Sequence, residues 1–187
     1  MSALGEPATP AEGAFFPSTY FYTHGTRDLA LLKQARVQMQ KVLAAAWNAR
    51  ATALPYTSAR EALVMASIIE KETGAAEERA QIAGVFVRRL ALGMRLQTDP
   101  TVIYGLGADF DGNLRRDDLR RDTPFNTYTR AGLPPTPIAM PGAASIAAAL
   151  APAPGEALYF VAKGDGTHVF SSSLAAHQRA VRLFQKR

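Results

Sequence analysis

The chain contains no cysteine. That excludes disulfides, thiolate nucleophiles and cysteine-based zinc sites, and leaves the compartment open, since many exported proteins also lack the residue. Histidine is scarce: His24, His168 and His177 lie far apart with no ligand spacing between them, so no metal centre is expected. No window approaches the ~18 apolar residues that span a bilayer. Residues 1–14 are small, proline-containing and acidic where a secretory leader is basic and then apolar. A dense positive patch is missing too. The net charge of +5 suits an anionic partner, but the basic residues are scattered. The densest block, Arg115 to Asp122, carries almost as many acids as bases and reads as a self-paired surface segment. Nucleic-acid binding needs a clustered basic face and is not expected.

What is present describes one globular domain. The 187 residues are 48% hydrophobic and 20% charged, enough for a proper core. An aromatic arm (Phe15, Phe16, Tyr20, Phe21, Tyr22) is expected to be extended and packed on the body. Thr26 suits the N-cap of a long helix whose stripe Leu32, Ala35, Met39, Val42 and Ala46 is buried, fading near Arg50. Ser58 to Glu61 forms a capping box opening a second helix, apolar nearly all round from Ala62 to Ile69 and stopped near Gly74. A third helix is predicted from about Glu77 to Leu92, and Asp99-Pro100 suits a cap and first turn of a short helix. Residues 105–142 are irregular, and irregular segments of that length in compact domains are often functional. A short alanine-rich helix at 145–150 follows. Then come a hairpin, with strands at 158–162 and 167–171 around Gly164-Asp165-Gly166, and a last helix from about Leu174 to Gln185 that presents Leu174, Val181 and Phe184 to the core. Helices first and a hairpin later predict an α+β fold, a helical core with a small antiparallel sheet near the C-terminus.

The stretch Ala66-Ser67-Ile68-Ile69-Glu70-Lys71-Glu72-Thr73 places carboxylates at the end of the apolar helix. Burying a carboxyl raises its pKa and lets it hold a proton near neutral pH, as a general acid must. At about 100° per residue, Glu70 shares its face with Leu63, Ala66, Ser67, Thr73 and Gly74. None is a cation, and most are small. Glu70 is therefore a candidate acid, and on these residues alone a structural surface glutamate near a helix end is the equally open reading. Glu72 points roughly the opposite way and reads as a solvated partner for other charges.

Several stretches resemble one family. Glu12 to Tyr20, Ala66 to Thr73, Val85 to Leu90, Gly93 to Gly105, Thr123 to Tyr128, Gly132 to Pro135 and Ala162 to His168 occur in the order and wording of the endolytic murein transglycosylases of the MltG, or YceG-like, type. The match covers most of residues 12–178. Thr136 stands where the family commonly has glycine, and Phe125 where it often has tyrosine. Residues 1–12 are read as a linker and 13–187 as the catalytic domain. The membrane-anchoring helix and LysM-like subdomain usual in the family are not expected within this chain.

The resemblance implies non-hydrolytic, internal cleavage of the β-1,4 bond between N-acetylmuramic acid and N-acetylglucosamine in peptidoglycan strands, leaving 1,6-anhydro ends. It places the catalytic acid at Glu70 and needs no cofactor. It implies a periplasmic location at the cytoplasmic membrane, with peptidoglycan synthases as possible partners. One carboxyl suffices, because the muramic acid C6 hydroxyl replaces water as nucleophile. Ser67 and Thr73, on the face of Glu70, are assigned to substrate binding with Gln97, Thr98, Asp99, Asn126, Tyr128 and His168. Asp99 suits a helix cap as well as a sugar ligand, Tyr128 packing as well as stacking, and His168 a strand as well as the cleft; Tyr104 is expected to pack. The rival readings are a non-catalytic glycan-binding module, to which an acid on an apolar helix would be superfluous, and a pyridoxal-phosphate lyase, for which none of Lys33, Lys41, Lys71, Lys163 and Lys186 has the setting.

Overall fold

Helix α2 (Ala59–Glu72) is the axis of the molecule because apolar residues surround it: every residue from Ala62 to Ile69 is buried. The structure is a computed structural model and describes residues 1–72 and 74–185. The α2 start follows the expected box with one shift. Ser58 Oγ accepts the Glu61 N–H at 3.3 Å, while the Glu61 carboxylate reaches back to the N–H of Thr57, at 2.6 Å.

Four helices pack on α2. Helix α1 (Asp28–Asn48) begins after Arg27, one residue beyond the expected cap. Of its predicted stripe, Ala35 and Met39 are buried, Val42 and Ala46 pack partly on the core, and Leu32 remains 44% exposed. The core is met by the middle and last turns of α1, so its first turn has nothing to bury against. Helix α3 (Arg79–Ala91) follows a 3-10 turn at Ala76–Glu78 and buries Ile82, Ala83, Val85 and Phe86. Helix α4 (Asp99–Leu106) has Thr98, not Asp99, as its N-cap. The region from 105 to 142 contains a 3-10 turn at Gly107–Asp109 and a short helix with no period in its sequence, α5 (Arg116–Arg120). The expected self-pairing of the 115–122 block holds only for Arg120–Asp117; Arg115 pairs with Asp111, Arg121 with Asp109 and Asp122 with Arg130, all exposed and each with a partner outside the block.

Helix α6 (Ala143–Leu150) lies along α2, α3 and α1, and its small side chains permit the close approach. Strands β1 (Tyr159–Ala162) and β2 (His168–Ser171) pair antiparallel in the register Tyr159↔Ser171 to Ala162↔His168. Gly164 and Gly166 have φ of +92° and +88°, which the turn demands. The hairpin docks on α3 through an edge-on contact of Phe160 with Phe86, centroids 5.6 Å apart. The α+β expectation holds.

Helix α7 (Leu174–Phe184), capped by Ser173, packs on the hairpin. The expectation that Leu174, Val181 and Phe184 enter the core is corrected. Ala180 is the buried residue, Leu174 is 52% exposed, and Leu174 and Val181 edge a cleft. The two-stranded hairpin is too narrow to cover more of α7. The aromatic arm is corrected in part. The Phe16 N–H bonds the carbonyl of Ala35 and its ring meets the core, yet Phe21 is 91% exposed. Upstream, Glu6 pairs with Arg36 at 2.8 Å. Among the described residues no helix is long and apolar enough to cross a membrane.

Candidate active site

The last turn of α2, the loop entering α4, the hairpin and α7 enclose a cleft of about 470 Å³. Glu72 lies on its floor with apolar Phe86 and Leu96. Desolvation pushes the Glu72 carboxyl up to about 7. Asp99 across the cleft adds like-charge pressure in the same direction, while a hydrogen bond from the Thr98 hydroxyl and the nearby His168 pull the other way. Glu72 also ends its helix, where the macrodipole disfavours a negative charge. This is the environment that the sequence led us to expect for Glu70.

Glu70 is elsewhere. Its Oε2 accepts the N–H of Gly142 at 3.0 Å, and Gly142 is the N-cap of α6. An anion at a helix N-terminus is a stabilising structural contact. Glu70 does not line the cleft. The helical wheel correctly separated the two glutamates but could not say which side of α2 faces α6 and which faces the cleft. The expectation that Glu72 is a solvated charge partner is corrected by its floor position.

The other expected ligands divide. Gln97, Thr98, Asp99, Tyr128 and His168 all line the cleft with Glu72. Thr98 is buried, and its backbone N–H is fixed by the Thr127 hydroxyl at 3.1 Å. Asp99 does not cap α4; it accepts the Tyr128 hydroxyl at 2.5 Å. Gln97 holds a left-handed φ of 52°, with its N–H bonded to Thr127 O. His168 is gripped by both oxygens of Glu78, Oε1 on its backbone N–H at 2.9 Å and Oε2 on Nδ1 at 2.7 Å.

Two expected ligands do not reach the cleft. Ser67 is fully buried; its hydroxyl donates to Val64 O at 2.7 Å and accepts Ile138 N–H at 2.9 Å, tying the 138 loop to α2. Asn126 is also fully buried. Its Nδ2 serves the carbonyls of Asp118, Leu119 and Arg121, and its Oδ1 accepts Tyr128 N–H at 2.8 Å. Both are satisfied internally, so Asn126 positions Tyr128 without facing a ligand. Thr73 lies outside the described residues. Tyr104 packs on Phe125 with centroids 4.8 Å apart, as expected.

The YceG-like family pattern matches residues 2–183. The chain belongs to the YceG-like family. A Bacillus subtilis (strain 168) protein named endolytic murein transglycosylase is 39% identical over 171 residues, 91% of this chain and 47% of that protein. A protein of the same name from Streptococcus pneumoniae (serotype 2, strain D39) is 30% identical over 175 residues, 91% of this chain and 31% of its own length. This YceG-like chain therefore spans about half or less of the curated relatives it matches. The crystal structure of a YceG-like protein from Listeria monocytogenes aligns with a TM-score of 0.79 at 35% identity, covering 95% of this chain and 58% of the other.

Beyond Glu72, sequence reasoning missed Glu78, Arg89, Tyr159 and His177 in this YceG-like chain. Arg89 had a signal: it follows Ile82, Val85 and Phe86 at helical spacing, a cation on the core face of α3. Glu78 had none, because its partner is ninety residues away.

Proposed function

We propose that this chain is the cleaving portion of an endolytic peptidoglycan lytic transglycosylase, with Glu72 as the acid. The observation that carries the reading is a desolvated carboxyl, raised to about 7, on the floor of a polar-walled cleft. The name shared by the Bacillus and Streptococcus relatives supports the substrate class. The expected role of Glu70 passes to Glu72.

Glu72 in its acid form donates its proton to the glycosidic oxygen as the bond from muramic acid C1 to that oxygen breaks. The resulting carboxylate takes the proton of the C6 hydroxyl as that oxygen bonds to C1. One bond breaks, one forms, and the acid is regenerated, leaving a 1,6-anhydro end without water. Holding the C6 hydroxyl beside C1 supplies a high effective molarity. Thr98 fixes the Glu72 carboxyl for both transfers. Gln97, Asp99, Tyr128 and His168 offer hydrogen-bonding groups for sugar hydroxyls and acetamides. Glu78 commits Nδ1 of His168 and leaves Nε2 for a ligand. The reading places the reaction on the outer side of the cytoplasmic membrane, where the strands lie.

Mass spectrometry of products from uncrosslinked glycan strands tests it. The wild type is expected to release internally cut fragments with anhydro ends, Glu72→Gln to lose about 10²–10⁴-fold in rate, and Glu70→Gln to keep cutting. Reducing muramic acid ends in place of anhydro ends, or full activity in Glu72→Gln, would overturn the proposal.

A further inference from the structure

At the α7 end of the same cleft sits a cation without a counter-ion. Arg89 is buried, 8% exposed, yet among the described residues it makes no ion pair. Its Nε donates to Leu158 O at 2.6 Å, and Nη1 donates to Leu96 O at 2.8 Å and, at longer range, to Arg95 O and Gln97 Oε1. Nη2 has no acceptor among the described residues, and it is not among the occluded unpaired atoms. It therefore opens on the cleft that Arg89 lines. The guanidinium carbon lies 4.9 Å from the centroid of Tyr159, whose ring stacks on His177 at 5.2 Å. Buried charges are ordinarily paired, and a fixed guanidinium with a free edge is a ready partner for a carboxylate.

The acids of the cleft do not fill that place. The Glu72 carboxyl is bonded by the Thr98 hydroxyl, the Asp99 carboxylate is engaged by the Tyr128 hydroxyl, and Glu78, outside the cleft lining, is spent on His168. Burial pulls the Arg89 guanidinium below its ordinary value, as expected of a cation short of negative neighbours. His177, whose Nδ1 is buried without a partner, is pushed down by burial and by Arg89. This end of the cleft has positive potential to offer, and no carboxylate among the described residues receives it.

We infer that Arg89, with its Nη2 edge, forms an anion subsite that takes a carboxylate carried by the glycan strand. The inference rests on the reading of peptidoglycan as substrate. Two sources share that chemistry: the lactyl carboxylate of a muramic acid stripped of its peptide, and the carboxylates of an attached peptide stem. On an intact strand the lactyl group is an amide and carries no charge. The subsite therefore distinguishes bare from peptide-bearing strands, or reads the stem itself.

The test compares uncrosslinked strands in four forms: bare with free lactyl carboxylates, bare after carbodiimide coupling to methylamine, and stem-bearing before and after the same coupling. Binding is measured on Glu72→Gln, so that cutting does not consume the strand, and anhydro-end release on the wild type. Tighter binding of the free form by about tenfold or more, with KM raised by a similar factor in the methylamide, supports the lactyl source. The same loss confined to coupled stems supports the stem source. Arg89→Lys keeps the charge but not the fork and is expected to narrow the ratio, whereas Arg120→Gln, which removes an exposed charge elsewhere, is expected to leave it unchanged. Should Arg89→Lys fail to fold, the comparison of strands on unaltered Arg89 still decides. Equal binding and equal KM for free and coupled strands, with cutting intact, overturns the subsite alone. Preference for the free form without any anhydro product overturns the transglycosylase reading and keeps the subsite.

Discussion

At the scale of a single residue, Glu72 links stability to chemistry. In the fold it holds its proton up to about pH 7, whereas the ordinary value is 4.5. Between those values unfolding releases a proton, so the contribution of Glu72 to stability is greatest below 4.5 and is lost as pH rises through about 7. The ionised form costs about 2–3 kcal/mol at pH 8. Glu72→Gln, which keeps the shape without the charge, is expected to be more stable than the wild type by about that amount at pH 8 and nearly equal at pH 4.5. Urea unfolding at several pH values measures it. The difference between the two proteins is the readout, because His177, pushed down by burial, makes stability rise with pH in the acid range and is common to both. The proposed role ties the same titration to rate: kcat/KM of the wild type is expected to fall on the alkaline side with a midpoint near 7, as the free enzyme's acid loses its proton. Matching slopes of stability against pH in the two proteins would show that the carboxyl is not desolvated.

Elements were legible where period and punctuation agreed. Helix α2 was announced by its box and its run from Ala62 to Ile69, and the hairpin by Gly164-Asp165-Gly166 between two apolar runs. Helix α5 was not, because its charged residues have no buried face to set a period. The site was half legible for a related reason. Polarity marked Gln97, Thr98, Asp99, Tyr128 and His168, but it marked Ser67 and Asn126 equally, and those two satisfy buried backbone groups. A wheel gives angles between side chains and not what lies at each angle, so it could not show that Glu72 faces the cleft while Glu70 caps α6. Packing between elements is similarly silent in sequence. Gly84, in the middle of α3, reads as a helix defect that alanine should repair by about 1 kcal/mol. The structure predicts the reverse. A Cβ there would lie 2.5 Å from the carbonyl oxygen of Ala153, and that segment is held by the Ala153 N–H bonding Ala80 O at 2.8 Å. Overpacking costs about 1–3 kcal/mol, so after the gain of about 1 kcal/mol in helix propensity Gly84→Ala is expected to lower stability by up to about 2 kcal/mol net, seen as a fall in Tm by calorimetry. An unchanged or higher Tm would show that the contact yields freely.

Across the whole molecule the cleft is the seam between a helical core and a hairpin with α7 on its back. Besides the Phe86–Phe160 contact, side chains from the start and the length of α3 cross that seam. Glu78 grips His168, Arg88 donates to Ala157 O at 2.8 Å, and Arg89 donates to Leu158 O. The core cluster is drawn mainly from α2, α3 and α6, and the hairpin meets only its edge, through Phe160 and Phe170. The seam should therefore loosen without global unfolding, as local openings do when few apolar contacts hold a unit. Glu78→Gln tests this at the strand that carries a cleft residue. One amide oxygen cannot serve both the N–H and Nδ1 of His168 as a carboxylate does, and the charge is lost. The expected cost is about 1–3 kcal/mol, confined to the hairpin. Hydrogen exchange should quicken for residues 167–171 and stay slow in α2, while kcat falls by about tenfold as His168 loses its fixed setting. The carboxyl of Glu78 lies below its ordinary 4.5, through its hydrogen bonds to His168, so its contribution is present above 4.5 and is lost as pH falls through its lowered value. Acidification of the wild type should accordingly raise hairpin exchange towards that of Glu78→Gln while α2 remains protected. If α2 and the hairpin instead open together in both cases, the seam is not a separate unit, and the cleft is as rigid as the core beneath it.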